Sequence, residues 1–180
     1  MTEQWDPSAP QTGMEAPDLR LVDQANKQVR LSQLARQGPI LLLFFAGPED
    51  ERGRALLRDY RDRTLSLQLA GVRIAAVGRG EPSALSFLRM EMGLGFPLLA
   101  DLDGTEAARF GMDGRVGLFL LDRALRVRQR ALEGRAPAVA MLQFLKRGGI
   151  REQKVSLPER IVHFVKSLQA ALKPRRPQPH

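Results

Sequence analysis

The chain has 180 residues, 43% of them hydrophobic and 27% charged, the balance of one folded domain with an ordinary core and some tail. It contains no cysteine, which excludes disulfides, thiolate nucleophiles and thiolate-bound zinc or iron–sulfur centres. The net charge of +8 sits at one end: Lys146 to His180 carries nine basic residues against two glutamates, and the rest is close to neutral.

The opening residues, to about residue 16, are polar with two prolines and read as a disordered leader. They lack the basic start and apolar stretch of a secretory signal, so a cytoplasmic location is expected. Next, "PDLRLVDQANKQVRLSQL" places Leu19 and Leu21 against Val29 and Leu31 in a hairpin with Asn26 and Lys27 at its tip. Ser32 is positioned to cap a short helical turn. The run from Ile40 to Ala46 is the longest apolar stretch, too short for the roughly 20 residues that cross a bilayer and suited to a central strand covered on both faces.

From about Glu49 to Ala70 the pattern turns helical, with Leu56, Leu57, Tyr60, Thr64 and Leu67 on one side and Gly71 as the stop. "VRIAAVG" is a second buried strand, and "EPSALSFLRMEMG" a helix ended by Gly93. "FPLLAD" gives a short strand and "GTEAARFG" a turn or two of helix. "RVGLFLLD" and "RALRVRQRAL" read as adjacent antiparallel strands. In the second, Leu125, Val127 and Gln129 face one way and Arg126, Arg128 and Arg130 the other, as a solvated face or a charged, pairing-resistant edge. "APAVAMLQFLKRGG" is the last helix of the domain. Strands alternating with helices and ending on a hairpin imply an α/β sheet between helical layers.

Beyond residue 149 the chain changes character. "SLPE" is a capping box formed by Ser156 and Glu159. It opens an amphipathic helix with Leu157, Ile161, Phe164, Val165, Leu168 and Leu172 on one face. The closing "KPRRPQPH" is basic and non-helical, with Arg175 and Arg176 at its centre.

Several of these segments together resemble the peroxiredoxin (alkyl hydroperoxide reductase / thiol-specific antioxidant) family of the thioredoxin-like superfamily. They are the entry "GMEAPDLRLVDQANKQVRLSQL", the strand "LLLFFAG", the segment "FPLLADLDGTEAARFG" and the strand "LFLLD". The resemblance runs from about Gly13 to Lys146. It divides the chain into a leader (1–12), a domain (13–149) and an appended helix with a basic tail (150–180). It implies a three-layer thioredoxin-like sandwich with a central mixed sheet.

The resemblance also locates a degenerate active site. The family loop carries an aromatic–Pro pair, then a Thr, then the peroxidatic Cys three residues on. Placing Phe45 on the family's Phe puts Ala46 and Gly47 on the aromatic–Pro pair, Glu51 on the Thr and Arg54 on the Cys. The family's Arg falls on Val116, one position past Arg115. Peroxide reduction needs a low-pKa thiolate and a route back from sulfenic acid, and a guanidinium supplies neither. Asp50 and Glu51 are the expected partners of Arg54, worth roughly 0.2–0.5 kcal/mol each.

The function implied is that of a cysteine-less, non-catalytic peroxiredoxin-like protein acting by binding. The alternative is an enzyme or redoxin using non-thiol chemistry or a bound cofactor. No phosphate loop, metal spacing or Ser-His-Asp arrangement stands in the sequence, so no cofactor is expected. "GRGEPS", Gly78 to Ser83, joins a strand to a helix and could hold an anion on its amides. The candidate partner surface is Ile161, Phe164, Val165, Leu168 and Leu172 with Arg175 and Arg176. The apolar face could simply pack on the domain; otherwise it would serve an unknown protein partner or self-association, or anionic membrane or nucleic-acid contact through the tail.

Overall fold

A computed structural model describes residues 5–132 and 137–150. Seven strands form one mixed sheet in the order β2-β1-β5-β4-β3-β6-β7. At its centre β3 (Ile40–Phe45) runs parallel to β4 (Arg73–Gly78) and antiparallel to β6 (Gly117–Leu121). All six residues of β3 are buried, as a strand covered on both faces requires. Alternate residues divide between two cores: Leu41, Leu43 and Phe45 face one layer, and Ile40, Leu42 and Phe44 the other.

The first layer holds α2 (Glu51–Arg61), α3 (Thr64–Leu69), α4 (Pro82–Met92) and α6 (Ala138–Lys146). The second holds α1 (Leu31–Ala35), α5 (Thr105–Ala108) and the N-terminal segment. The three-layer sandwich expected from the sequence is therefore present. The sheet is completed by β1 (Arg20–Asp23), β2 (Gln28–Arg30), β5 (Leu98–Ala100) and β7 (Val127–Leu132). The appended helix of residues 150–180, with all seven of its candidate binding residues, lies outside the described residues apart from Ile150.

Both hairpins turn by the same device. Asp23 Oδ1 accepts the amides of Ala25 and Lys27, each at 2.9 Å, with Asn26 at φ 61°. Asp122 Oδ1 accepts those of Ala124 and Arg126, each at 2.9 Å, with Leu125 at φ 58°. Asn tolerates the left-handed region, whereas Leu does so at a cost that its buried side chain offsets.

Four expectations are corrected. The leader is not free over residues 5–16: Trp5 packs edge-on against Phe119 at 5.5 Å, Ala9 is buried, and Gly13 and Ala16 donate to the Val127 and Leu125 carbonyls. The helix expected over 49–70 is two helices. Arg63 leaves helical geometry (φ −120°, ψ 9°), and the Thr64 hydroxyl takes the Tyr60 carbonyl at 3.0 Å. Ser32 does not cap: its amide and hydroxyl both donate to the Asp18 carboxylate at 2.8 Å.

The fourth concerns the Arg row of β7. A bulge opposite Leu120/Leu121 shifts the alternation, so Val127 packs in the second layer and Ala131 in the first. Arg130 then lies over the Trp5 ring at 4.2 Å and donates to the Ala9 and Pro10 carbonyls. Residues 13–16 pair along residues 125–127 and so cover the outer edge where β7 begins.

Candidate functional site

The loop after β3 lies at the carboxyl ends of the parallel strands, where open α/β sheets place their sites. The Phe45 ring lies across the end of β4, so close to Gly78 that a Cβ there would stand 2.1 Å from it. After Ala46, Gly47 and Pro48 the chain folds back, with the Asp50 amide donating to the Gly47 carbonyl at 3.1 Å. The Asp50 carboxylate then closes the loop from both sides, accepting the amides of Ala46 at 3.3 Å and Arg52 at 3.2 Å. Asp50 is thus the N-cap of α2, in the residue class that best satisfies a first-turn amide.

Gly53 lets the first turn of α2 press onto β3, for a Cβ at that position would meet Phe45 Cβ at 2.5 Å. The next residue, Arg54, turns its side chain back over the loop. Its Nη1 donates to the Pro48 carbonyl at 3.2 Å and its Nη2 to Glu91 Oε1 of α4 at 2.5 Å, with Glu51 Oε1 3.6 Å from Nε. The side chain is only 19% exposed. The Glu91 carboxylate, first among the causes, pushes the Arg54 pKa up and keeps the guanidinium charged. Two carboxylates and a carbonyl offset the penalty of a cation at the positive end of the helix.

Arg54 was expected to pair with Asp50 and Glu51. Glu51 is a partner, also reaching Arg58 at 3.2 Å. Asp50 serves as the cap instead, with Arg52 Nε 3.6 Å away. Glu91, 37 residues later, completes the clasp, and no spacing in the sequence foretells it. Ala46, Gly47, Glu51 and Arg54 are brought together at this corner. Arg115 belongs to another neighbourhood, the exposed turn before β6, where its charge acts on Asp6 of the N-terminal segment. Val116, buried, lies one residue beyond the Phe44–Gly117 pairing that ends the β3–β6 ladder.

The loop Gly78 to Ser83 packs at its glycines and leaves Arg79, Glu81 and Ser83 exposed. A Cβ on Gly80 would touch the Pro48 ring at 3.6 Å, and Arg79 reaches across to the Asp103 carbonyl at 2.5 Å. Among the described residues no cluster of three or more His, Asp or Glu side chains could hold a metal ion. None of their helices is long and apolar enough to cross a membrane. Chemically the corner offers a clamped guanidinium and paired carboxylates, with no nucleophile aimed at a peroxide bond.

Comparison with known proteins matches this architecture. The model of the AhpC/TSA family matches residues 12–130. The crystal structure of the peroxidoxin BcpB from Mycobacterium tuberculosis superposes with a TM-score of 0.72 at 22% identity, covering 79% of this chain and 99% of that one. The bacterioferritin comigratory protein of Xanthomonas campestris gives 0.66 at 21% identity over 78% and 100% of the two chains. A thiol peroxidase from Chromobacterium violaceum gives 0.66 at 23% identity over 79% and 90%. A search of curated proteins finds no match.

Proposed function

The chain belongs to the AhpC/TSA family, and from that premise we propose that it is a pseudoenzyme of the peroxiredoxin type, acting by binding a protein or a surface. The observation that carries this reading is the clasp of Arg54 by Glu91, Glu51 and the Pro48 carbonyl. On the placement that the family resemblance implies, Arg54 stands where the peroxidatic sulfur would be. A charged, hydrogen-bonded guanidinium there can neither attack an O–O bond nor pass through sulfenic acid. The clasp also ties α2 to α4, which turns a reactive corner into a structural joint. The cytoplasmic location expected from the sequence belongs to the same proposal.

The binding surface we assign is the apolar face of Ile161, Phe164, Val165, Leu168 and Leu172 with the basic Arg175 and Arg176. These residues lie outside the described ones; the helical face that their sequence pattern predicts, flanked by cations, would suit a groove on a partner protein. A pull-down with the full chain and with one ended after Gly149 tests it. Loss of a specific companion on truncation supports the assignment. A companion retained by the truncated chain, or affinity only for anionic vesicles that disappears with salt, removes it.

A further inference from the structure

A cleft of about 800 Å3 opens beside the β1–β2 hairpin and shares no residue with the loop at 46–54. It exists because β1 and β5 are paired only at Val22–Ala100 and Asp23–Leu99. Beyond Ala100 the chain turns away toward α5 and leaves a wedge of the size that small ligands occupy. One wall is the hairpin, presenting Arg20, Gln28 and Arg30; the facing wall presents Asp101, Asp103 and Glu106.

The two walls differ in how their charges are satisfied. Asp101 accepts the amides of Glu106 at 3.3 Å and Ala107 at 2.7 Å. Asp103 accepts the Thr105 amide at 3.0 Å, and Glu106 is paired with Arg109 at 2.8 Å. Arg20 and Arg30 are direct cross-strand partners on one face of the hairpin. Among the described residues neither guanidinium has a side-chain hydrogen bond or ion pair. Like charges at such a pair, with Cβ atoms about 5 Å apart, destabilise a hairpin unless something neutralises both. Two guanidiniums on such a directly opposed pair are within reach of the oxygens of a single tetrahedral oxyanion.

We propose that this cleft binds a small phosphate ester bearing hydroxyl or amino groups. The phosphate lies between Arg20 and Arg30, and the donors of the organic part face Asp103 and Glu106. The carboxylate wall rejects a second anionic end, which restricts the ligand to a singly phosphorylated polyol or amine. The site is independent of the clasped corner and of the appended helix, so its fate does not depend on the pseudoenzyme reading.

Calorimetric titration of the full chain with glucose 6-phosphate, inorganic phosphate and glucose tests the site. Saturable binding of the ester is expected, tighter than inorganic phosphate, with none of glucose. Arg20→Gln and Arg30→Gln should each weaken the ester about tenfold, the scale of one lost charged hydrogen bond. Arg147→Gln, of equal charge change beyond α6, should leave affinity within about twofold. Thermal unfolding should find both hairpin variants at least as stable as the parent, because a like-charge contact has been relieved. The proposal is overturned by absence of saturation, by equal affinity for ester and inorganic phosphate, or by equal losses in all three variants.

Discussion

Asp50 holds the corner together with one carboxylate, capping α2 through the Arg52 amide and drawing Ala46 back toward the helix. Asp50→Ala should therefore cost about 1 kcal/mol for the cap alone, measured by urea unfolding; a neutral result would contradict this role. Glu91→Gln should lower stability by up to about 1 kcal/mol, the range for a part-exposed ion pair. Asp101 gives a pH signature. Burial, the leading cause, raises its pKa above the ordinary 3.8, although two amides favour the ionised form. The folded protein then keeps a proton that the unfolded chain has released, so stability falls as pH rises from 3.8 through the raised value. Asp101→Asn should remove that fall while lowering stability overall, since one amide oxygen replaces two acceptors. Identical pH slopes in the two proteins would contradict it. At this scale the sequence disclosed Arg54, Glu51 and the acidic, well-capped start of α2 but not Glu91, because a clasp between two helices leaves no periodic trace.

Among the elements, the meeting of β3 with α2 is the tightest joint near the candidate site. Gly53→Ala places a methyl against Phe45 and should cost about 1–3 kcal/mol by overpacking. The N-terminal segment is a strap held by Trp5, the chain's single tryptophan, between Phe119 and Arg130. Arg130→Gln should red-shift Trp5 emission and reduce hydrogen-exchange protection at the Gly13, Ala16 and Val127 amides; unchanged protection would contradict the strap. The strap was invisible in the sequence because its residues are polar and proline-broken, and one aromatic ring supplies its anchor. The break between α2 and α3 was hidden for a different reason. Leu57, Tyr60 and Leu67 all enter the same core, so the apolar pattern carries through an interrupted backbone. The bulge in β7 misled in the opposite sense, since strict alternation was assumed across a register shift.

For the molecule as a whole, the order of strands and helices was legible from continuous apolar runs and glycine stops. The match to the AhpC/TSA family covers the same stretch, residues 12–130. The chemistry was legible as an absence, for no cysteine stands anywhere in the 180 residues. Restoring the missing atom should not restore the enzyme: Arg54→Cys with Glu51→Thr should yield a titratable thiol of ordinary peroxide reactivity. Ala46, Gly47 and Val116 would still lack the aromatic–Pro pair and the guanidinium of the family pattern. The most direct measurement is peroxide-dependent turnover by the purified chain in a coupled assay with hydrogen peroxide, thioredoxin and its reductase. The account predicts a rate indistinguishable from the blank, and sustained, recyclable consumption of peroxide by this polypeptide would contradict it.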